Sequence, residues 1–318
     1  MILKTADHRT TDIETLQALL QHTAAGDPTR RKIEDEIRNI ELGVKAEKEA
    51  TYEIDFHFGQ SPNWAVIHDL RIETAQRVAQ IDHLLVNRLL EVWVCETKQM
   101  SGGLAINEYG ECTTFLKGNR PQAIASPFEQ NRKHCALLQA LFDDVNFPLP
   151  TRLGIKIRPS INNIVLLSKR ARITRPKVKI DGIDSIIKAD QLKAHIDKAF
   201  DDNPFLLAKL IGTETLLDFA NVLVSLHCPI EFDWQAKFGL AKDVNVAQPR
   251  ASHRSRLDTA AATTNTPALE PKRQCVSCAQ PVTEAVVRYC LVHRTRFAGM
   301  VYCRDCQRLC AEVPSNLT

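Results

Sequence analysis

The sequence has no long apolar run, no strong charge imbalance and no internal repeat, and the first two of these absences limit what the protein can be. No stretch of about 18 apolar residues occurs, so we expect no membrane-spanning helix and no membrane partner. Met1 to Lys4 and the polar residues that follow lack the apolar region of a secretory signal, so we expect a cytoplasmic protein. The net charge is only +3, which does not by itself indicate a nucleic-acid partner.

The composition is that of an ordinary globular protein, with 44% hydrophobic and 25% charged residues among 318. That length is enough for two domains. Hydrophobic periodicity, turn residues and a capping box at Ser126 predict helices and strands in alternation. The predicted order is a helix over about Arg30–Ile54, strands over Trp64–Ile72, Arg77–Val86 and Glu91–Lys98, a helix from Ser126, a strand over Asn163–Ser168, and a helix from Asn203 to about Leu226.

This order predicts an α/β fold in which helices flank a mixed sheet. Residues 241–273 contain few large apolar side chains and are predicted to be a flexible linker. We therefore divide the chain into a polar N-terminal arm that is expected to be loose (1–30), a core (31–150), an α/β extension that completes or covers the core (151–240), the linker (241–273) and a small cysteine-rich module (274–311).

An acid on one predicted strand and an acid and a lysine on the next are the candidate chemical groups. If Arg88 to Leu90 form a three-residue hairpin loop, Asp82 lies opposite Glu96, and Gln80 lies opposite Lys98. Directly opposed like charges are destabilising, so a cation must sit between Asp82 and Glu96. Lys98 or a divalent metal ion would serve.

Such a group suits phosphodiester hydrolysis, because Mg²⁺ prefers carboxylate and phosphate oxygens and a lysine can stabilise an anionic transition state. The alternative is a structural ion pair at the end of a sheet, since such pairs occupy similar positions. The spacing alone does not decide between the two.

Five segments in order resemble the NERD (nuclease-related) domain, over about residues 40–145. They are Gly43-x-x-Ala46-Glu47, His68-Asp69-Leu70, Ala79-Gln80-Ile81-Asp82-His83, Glu96-Thr97-Lys98 followed by Gly102-Gly103, and Ser126-Pro127-Phe128-x-Gln130. That family is similar to the PD-(D/E)xK nucleases, which implies a restriction-endonuclease-like mixed sheet and a deoxyribonuclease dependent on Mg²⁺ or Mn²⁺.

The resemblance also implies roles for particular residues. Asp82 and Glu96 match the metal-binding carboxylates, and Lys98 matches the catalytic lysine. Glu47 matches an acidic residue of the first helix and Gln130 a glutamine that lines the site. For Glu47 and Gln130, an ordinary solvated position is about as consistent with the sequence. His83 and His134 fit hydrogen-bonded structural histidines better than functional ones.

The ten cysteines fall into two groups. Cys95, Cys112, Cys135 and Cys228 occur singly in mostly apolar surroundings and are predicted to be buried thiols. The other six lie within the last 44 residues, which favours metal binding over disulfides in a reducing compartment. Cys275-x-x-Cys278 and Cys303-x-x-Cys306 have the spacing of a structural Zn²⁺ site, although Cys290, His293 or Cys310 could replace one ligand.

The cysteine-rich stretch resembles the zinc-ribbon-like tails of nucleases and topoisomerases. Its arginines and aromatic residues suit contact with DNA, while docking to a protein partner, or to a second copy of the chain, is the rival interpretation. A second basic segment, Lys169–Lys179, is either a solvated loop or a phosphate-binding surface.

Together these features favour an endonuclease that acts on DNA through a metal ion, tethered to a zinc module. Two alternatives use the same residues: a module that binds nucleic acid without cutting it, and a scaffold whose zinc module recruits a partner. Metal-dependent cleavage would favour the endonuclease, and salt-sensitive binding without cleavage would favour the binding module. Neither binding nor cleavage would favour the scaffold.

Overall fold

The computed structural model describes residues 1–7, 9–23, 27–74, 77–116, 118–152, 154–201, 209–230, 232–240, 274–278, 280–283, 286–287, 289–290 and 301–307. The chain divides into two compact units, Met1–Ala247 and Gln248–Thr318. The predicted linker at 241–273 lies outside the described residues, as do His293 and Cys310.

The first unit is built on a mixed α/β arrangement, as predicted. Its helices are α1 (Thr10–His22), α2 (Pro28–Phe58), α3 (Pro127–Asp143), α4 (Leu192–Asp201), α5 (Thr213–Ser225) and α6 (Trp234–Lys237). Its strands are β1 (Ile2–Lys4), β2 (Trp64–Glu73), β3 (Val78–Asn87), β4 (Glu91–Lys98), β5 (Leu104–Ile106), β6 (Cys112–Leu116), β7 (Arg120–Ile124), β8 (Thr151–Arg152), β9 (Ile155–Lys156), β10 (Ser160–Leu167), β11 (Ile173–Thr174) and β12 (Ile186–Lys188). Short 3₁₀ turns cover Ile183–Ser185 and Ala189–Gln191.

The main sheet has six strands in the order β1-β2-β3-β4-β10-β12. The pairs β2–β3 and β3–β4 are antiparallel, whereas β1–β2, β4–β10 and β10–β12 are parallel. A smaller sheet has the order β11-β5-β6-β7, and β8 and β9 form a separate pair. Because β4 is central and both of its faces are covered, all of its residues except Lys98 are buried.

Helices cover both faces of the main sheet. On one face, α3 and α5 pack through residues such as Leu138 and Phe219 on the apolar side chains of β2, β3 and β4. On the other face, α2 contributes Ala50, Ile54 and Phe58, and α4 adds Leu192 and Ile196. The helices therefore bury the apolar residues of alternate strand positions, as expected for a sheet enclosed on both sides.

The described part of the first 30 residues is not a loose arm. β1 joins the edge of the main sheet beside β2, and α1 buries Leu16 and Leu19 against Ile33 of α2 and Trp234 of α6. The sequence prediction was wrong here because these partners are distant in the chain: the tryptophan that completes this small core follows more than 200 residues later.

The predicted helix from Asn203 to Leu226 is also too long. Residues 209–212 are not α-helical, and α5 begins at Thr213 with Gly212 as its N-cap. Residues 151–240 supply β10 and β12 of the main sheet and the covering helices α4 and α5, so they share one compact unit with the preceding strands. Of the four single cysteines, Cys95 and Cys112 are buried as predicted, whereas Cys135 and Cys228 are only half-buried.

Candidate functional site

The turn between β3 and β4 fixes the register of the two candidate strands. The Asn87 side-chain carbonyl accepts hydrogen bonds from the backbone N–H of Leu89 and of Glu91, and its amide donates to the Glu91 carboxylate at 2.9 Å. Four residue pairs, from Val86↔Val92 to His83↔Cys95, follow the predicted register. The next positions along the two strands are Asp82 and Glu96.

Beyond that point the two strands part, and one predicted pairing does not form. Gln80 pairs with Arg71 of β2, not with Lys98, and its side-chain amide donates to Asp69 Oδ1 at 2.9 Å. Asp82 Oδ2 accepts a hydrogen bond of 2.7 Å from the backbone N–H of Thr97, which replaces a ladder bond.

Glu96 is the centre of the site. Its side chain is buried, and the Lys98 ammonium lies 2.6 Å from Glu96 Oε1. The Gln130 amide on α3 donates to the same oxygen at 2.9 Å. His134, one turn further along α3, places Nδ1 3.5 Å from Glu96 Oε2 without hydrogen-bond geometry. The structure therefore brings Glu96, Lys98 and Gln130 together, with His134 beside them.

Asp82 is half-buried on the neighbouring strand, and the negative charges of Glu96 and Glu47 lie close enough to act on it. Burial, with the charges of Glu96 and Glu47, raises the pKa of Asp82 well above its ordinary value, against the opposing effects of the Thr97 N–H and Lys98. Lys98 acts on both Asp82 and Glu47, and Arg9 acts on Glu47, but these cations do not offset burial and the repulsion between the carboxylates. A divalent cation would supply the missing positive charge.

Glu47 approaches this group from α2, on the other face of the sheet. Its side chain is half-buried, and burial together with repulsion from Asp69 and Glu96 raises its pKa. Glu47 therefore belongs to the same electrostatic cluster as Asp82 and Glu96. The five predicted residues Glu47, Asp82, Glu96, Lys98 and Gln130 all lie in or beside it.

Asp69 is a member of the cluster that the sequence did not single out. It has a left-handed backbone conformation, with φ of 53°, which is uncommon for a residue other than glycine and often accompanies a functional site. Its carboxylate accepts hydrogen bonds from the Gln80 amide and from the backbone N–H of Asp7 at 3.1 Å. The His68-Asp69-Leu70 motif was a signal for this position, but spacing alone gave it no role.

Asn131 on α3 was also missed. Its side-chain nitrogen lies 2.8 Å from the Val94 carbonyl, 2.8 Å from Asn163 Oδ1 and 3.0 Å from the Ile164 carbonyl, and the residue is fully buried. This contact fastens α3 to β4 and β10 beside Gln130. A polar residue adjacent to Gln130 on a helix gives no sequence signal of such a role.

His68 and His83 form a buried series of side-chain contacts with Asp55 that leads away from Glu96. His68 Nε2 lies 3.0 Å from Asp55 Oδ1, and His68 Nδ1 lies 2.8 Å from His83 Nδ1. Burial lowers the pKa of both histidines, most strongly that of His83. His83 therefore forms part of a neutral, hydrogen-bonded pair, in agreement with the structural interpretation of this residue.

The second unit contains a cluster of four cysteines. The Sγ atoms of Cys275, Cys278, Cys303 and Cys306 all lie within 4.8 Å of one another, as the ligands of one metal ion do. Backbone hydrogen bonds around Cys275 outweigh the effect of desolvation and lower the pKa of its thiol to about 6. A low thiol pKa favours the thiolate that zinc binds.

A small hydrophobic cluster surrounds the cysteines. Val282, Val286, Val287, Val301 and Tyr302 pack beside them, and a short helix, α7 (Arg304–Gln307), carries Cys306. Cys290 is buried but not part of the cluster: its Sγ accepts from the backbone N–H of Tyr302 and from the Gln307 amide, both at 3.3 Å. Within the described residues, Cys290 therefore has a structural role and not a ligand's position.

The two candidate metal sites differ in how complete they are. In the part of the chain that the structure describes, the four cysteines form the one set of three or more cysteine, histidine or carboxylate groups with ligand atoms within 4.8 Å. The carboxylate cluster offers hard oxygen donors, Asp82 and Glu96, and an excess of negative charge. These two features fit Mg²⁺ or Mn²⁺, which commonly binds one or two protein carboxylates and keeps several waters.

One comparison with known proteins finds a match. Residues 42–168 match the family model described as NERD, the nuclease-related domain. The match includes Glu47, Asp82, Glu96, Lys98 and Gln130 and reaches beyond the predicted limit of the resemblance, through β10. Neither the curated proteins nor the solved structures gave a match. None of the described helices is both long and apolar enough to cross a membrane.

Proposed function

We propose that the protein is a metal-dependent endonuclease that hydrolyses phosphodiester bonds in DNA, with the reaction centred on Asp82, Glu96 and Lys98. The observation that carries this proposal is the meeting of these three side chains where β3 and β4 separate, within the segment that matches the nuclease-related domain. The resemblance of this segment to the PD-(D/E)xK nucleases, noted from the sequence, supports the same assignment.

Each residue has a distinct role in this proposal. Asp82 and Glu96 would hold Mg²⁺ or Mn²⁺, which supplies an acidified water and neutralises charge on the scissile phosphate. Lys98 is held by Glu96 and would orient the attacking water and stabilise the anionic transition state. Gln130 fixes the Glu96 carboxylate, and Glu47 adds negative charge that favours a cation in the site.

The cysteine cluster would hold Zn²⁺ as a structural ion, because four thiolates leave no open position for a reacting water. A module this small cannot bury a large core, so metal binding would supply much of its folding free energy. By contact with DNA it would raise the local concentration of substrate at the carboxylate site.

The test is cleavage of labelled plasmid, linear, single-stranded and branched DNA by the full chain. Zinc-loaded protein is assayed with added Mg²⁺ or Mn²⁺ and without either, since EDTA would also remove zinc. Wild type is compared with Asp82→Asn, Lys98→Met and Lys133→Met, the last being a matched control at an exposed lysine of α3.

Cleavage that requires the added metal and persists only in wild type and Lys133→Met supports the proposal. Equal cleavage by all variants indicates a contaminating nuclease or another site and contradicts it. Salt-sensitive DNA binding without cleavage contradicts the catalytic role and favours a binding module that uses the same fold.

A further inference from the structure

The segment Lys169–Lys179 is strongly basic and lies beside the candidate site. It contains six lysines and arginines and no acidic residue. Leu167, the last residue of β10, pairs with Lys98, so the segment starts two residues beyond the neighbour of the candidate catalytic lysine. A basic surface at the C-terminal ends of β4 and β10 is therefore within reach of a substrate held by Asp82 and Glu96.

The glycine turn that follows Lys98 holds this segment in place. The Leu104 N–H donates to the Arg172 carbonyl at 2.8 Å, and β11 pairs with β5. Gly103 has φ of 98°, and a Cβ at this position would lie 2.6 Å from the Arg172 carbonyl oxygen. The close approach requires glycine here, so the fold itself fixes the basic segment next to the site.

Carboxylates of the described residues leave most of the positive charge in this segment without an ion-pair partner. Lys169 pairs with Glu53 at 2.5 Å, but none of the other five cations forms an ion pair with a described carboxylate. Arg175 donates to the Ile186 carbonyl, and the Arg172 guanidinium lies 5.8 Å from the centre of the Phe115 ring. All five side chains are exposed, so they are available to phosphates: Arg170, Arg172, Arg175, Lys177 and Lys179.

Two exposed aromatic rings continue this surface onto α2. Tyr52 and Phe56 are 63% and 72% exposed, and their rings stack with centroids 6.3 Å apart and an angle of 21°. The Lys169 ammonium lies 5.4 Å from the Tyr52 ring and joins the aromatic pair to the basic segment.

We propose that the basic segment 169–179 and the Tyr52–Phe56 pair together bind an unpaired nucleic-acid strand and direct it to the carboxylate site. Exposed rings stack on bases only where the bases are not already stacked in a duplex, and each such contact is tolerant of sequence. The cations contact the phosphates of the same strand. This inference deepens the proposed nuclease function by naming its substrate as DNA with a single-stranded part.

The test measures binding apart from cleavage. All proteins carry Asp82→Asn, which suppresses cleavage while the zinc remains bound, and fluorescence anisotropy reports the affinity for a single strand, a blunt duplex and a duplex with a single-stranded tail. One variant is Arg170→Gln/Lys177→Gln/Lys179→Gln. Its control, Arg31→Gln/Lys32→Gln/Lys198→Gln, removes the same charge from exposed positions elsewhere.

In the triple variant of the basic segment, the slope of log affinity for the single strand against log salt concentration is expected to become shallower by about two. Each of the three lost phosphate contacts contributes about 0.7 to this slope. The control leaves the slope unchanged. Tyr52→Ala/Phe56→Ala is expected to weaken binding to the single strand and the tail by about 5- to 100-fold, with little effect on the blunt duplex. Tyr52→Phe retains the ring and full affinity, and Tyr109→Ala controls for loss of an exposed tyrosine elsewhere.

Unchanged single-strand affinity in Tyr52→Ala/Phe56→Ala overturns the proposal, and so does an unchanged salt slope in the triple variant of the basic segment. Absence of any nucleic-acid binding also overturns it and leaves the surface to an acidic protein partner. Because binding is measured without cleavage, a failure here is distinguishable from a failure of the nuclease assignment.

Discussion

The Lys98 ammonium lies 2.6 Å from Glu96 Oε1, two residues earlier on the same strand. Side chains two apart on a strand share a face, but a contact this close also requires that Glu96 turn toward the end of the strand. The Gln130 amide holds the same oxygen from α3. The positive charge of Lys98 also acts on Asp82 and Glu47, but it does not cancel the effects of burial and of the neighbouring carboxylates, which raise the pKa of both groups.

The pair makes a prediction about stability. In Lys98→Met, buried Glu96 loses its cation, so the free energy of unfolding should fall by about 1–3 kcal/mol, less than for a fully buried pair because Lys98 is partly exposed. Glu96→Gln/Lys98→Met removes both charges and should recover part of this loss. Urea unfolding without divalent metal measures both, and a double variant no more stable than Lys98→Met would count against the ion pair.

The raised pKa of Asp82 predicts how stability depends on pH. Between the ordinary pKa of aspartate, about 3.9, and the higher folded value, the folded protein binds more protons than the unfolded chain, so stability falls as pH rises. Asp82→Asn should flatten this fall. Mg²⁺ should reverse it in wild type, because the ion binds the ionised carboxylate.

The measurement is urea unfolding from about pH 4 to about pH 8, with and without Mg²⁺ at constant zinc. Asp197→Asn, at an exposed aspartate of α4 paired with Lys193, serves as the control. A wild-type pH profile that matches that of Asp82→Asn, in both conditions, would show that Asp82 neither titrates at a raised pKa nor binds the ion.

The cysteine cluster predicts the metal content of the chain. Purified protein should contain one Zn²⁺, and Cys278→Ser should lose it because the substitution removes one of four ligands. Cys290→Ser should retain the ion, since Cys290 accepts hydrogen bonds and is outside the cluster. Colorimetric assay after thiol modification counts the zinc. Loss of zinc from Cys290→Ser, with Cys278→Ser loaded, would reverse the ligand assignment.

Asn131 predicts a structural effect beside the site. Asn131→Ala leaves the Val94 and Ile164 carbonyls and Asn163 without their donor in a buried setting, so stability should fall by about 2–4 kcal/mol. Gln139→Ala, at an exposed position of the same helix, should change it by less than about 0.5 kcal/mol. Equal unfolding midpoints for the two variants would mean that Asn131 does not fasten α3 to the sheet.

Local signals in the sequence predicted the local geometry well. Asn87 and the three residues after it specify the hairpin, and the hairpin sets the register of the four pairs that end at His83↔Cys95, one position before Asp82 and Glu96. Ser126 caps α3, as its capping box indicated, by accepting from the Glu129 N–H. The spacing of the two Cys-x-x-Cys pairs likewise predicted the four clustered thiols.

Features that depend on distant parts of the chain were not predictable in this way. Pairing of β10 in parallel with β4 is set by packing, and it brings Asn163 to Asn131 and the basic segment to Lys98. The left-handed conformation of Asp69 is stabilised by Asp7 and Gln80, which sequence spacing does not connect. Hydrophobic periodicity detects a buried face but does not identify its partner.

The most direct test of the central claim is plasmid cleavage as a function of Mg²⁺ concentration, with zinc held constant, for wild type and Asp82→Asn. The account predicts cleavage by wild type that rises with Mg²⁺ to saturation, and a loss of at least about 100-fold in Asp82→Asn at every concentration. Cleavage that is independent of Mg²⁺, or equal in the two proteins, would contradict it.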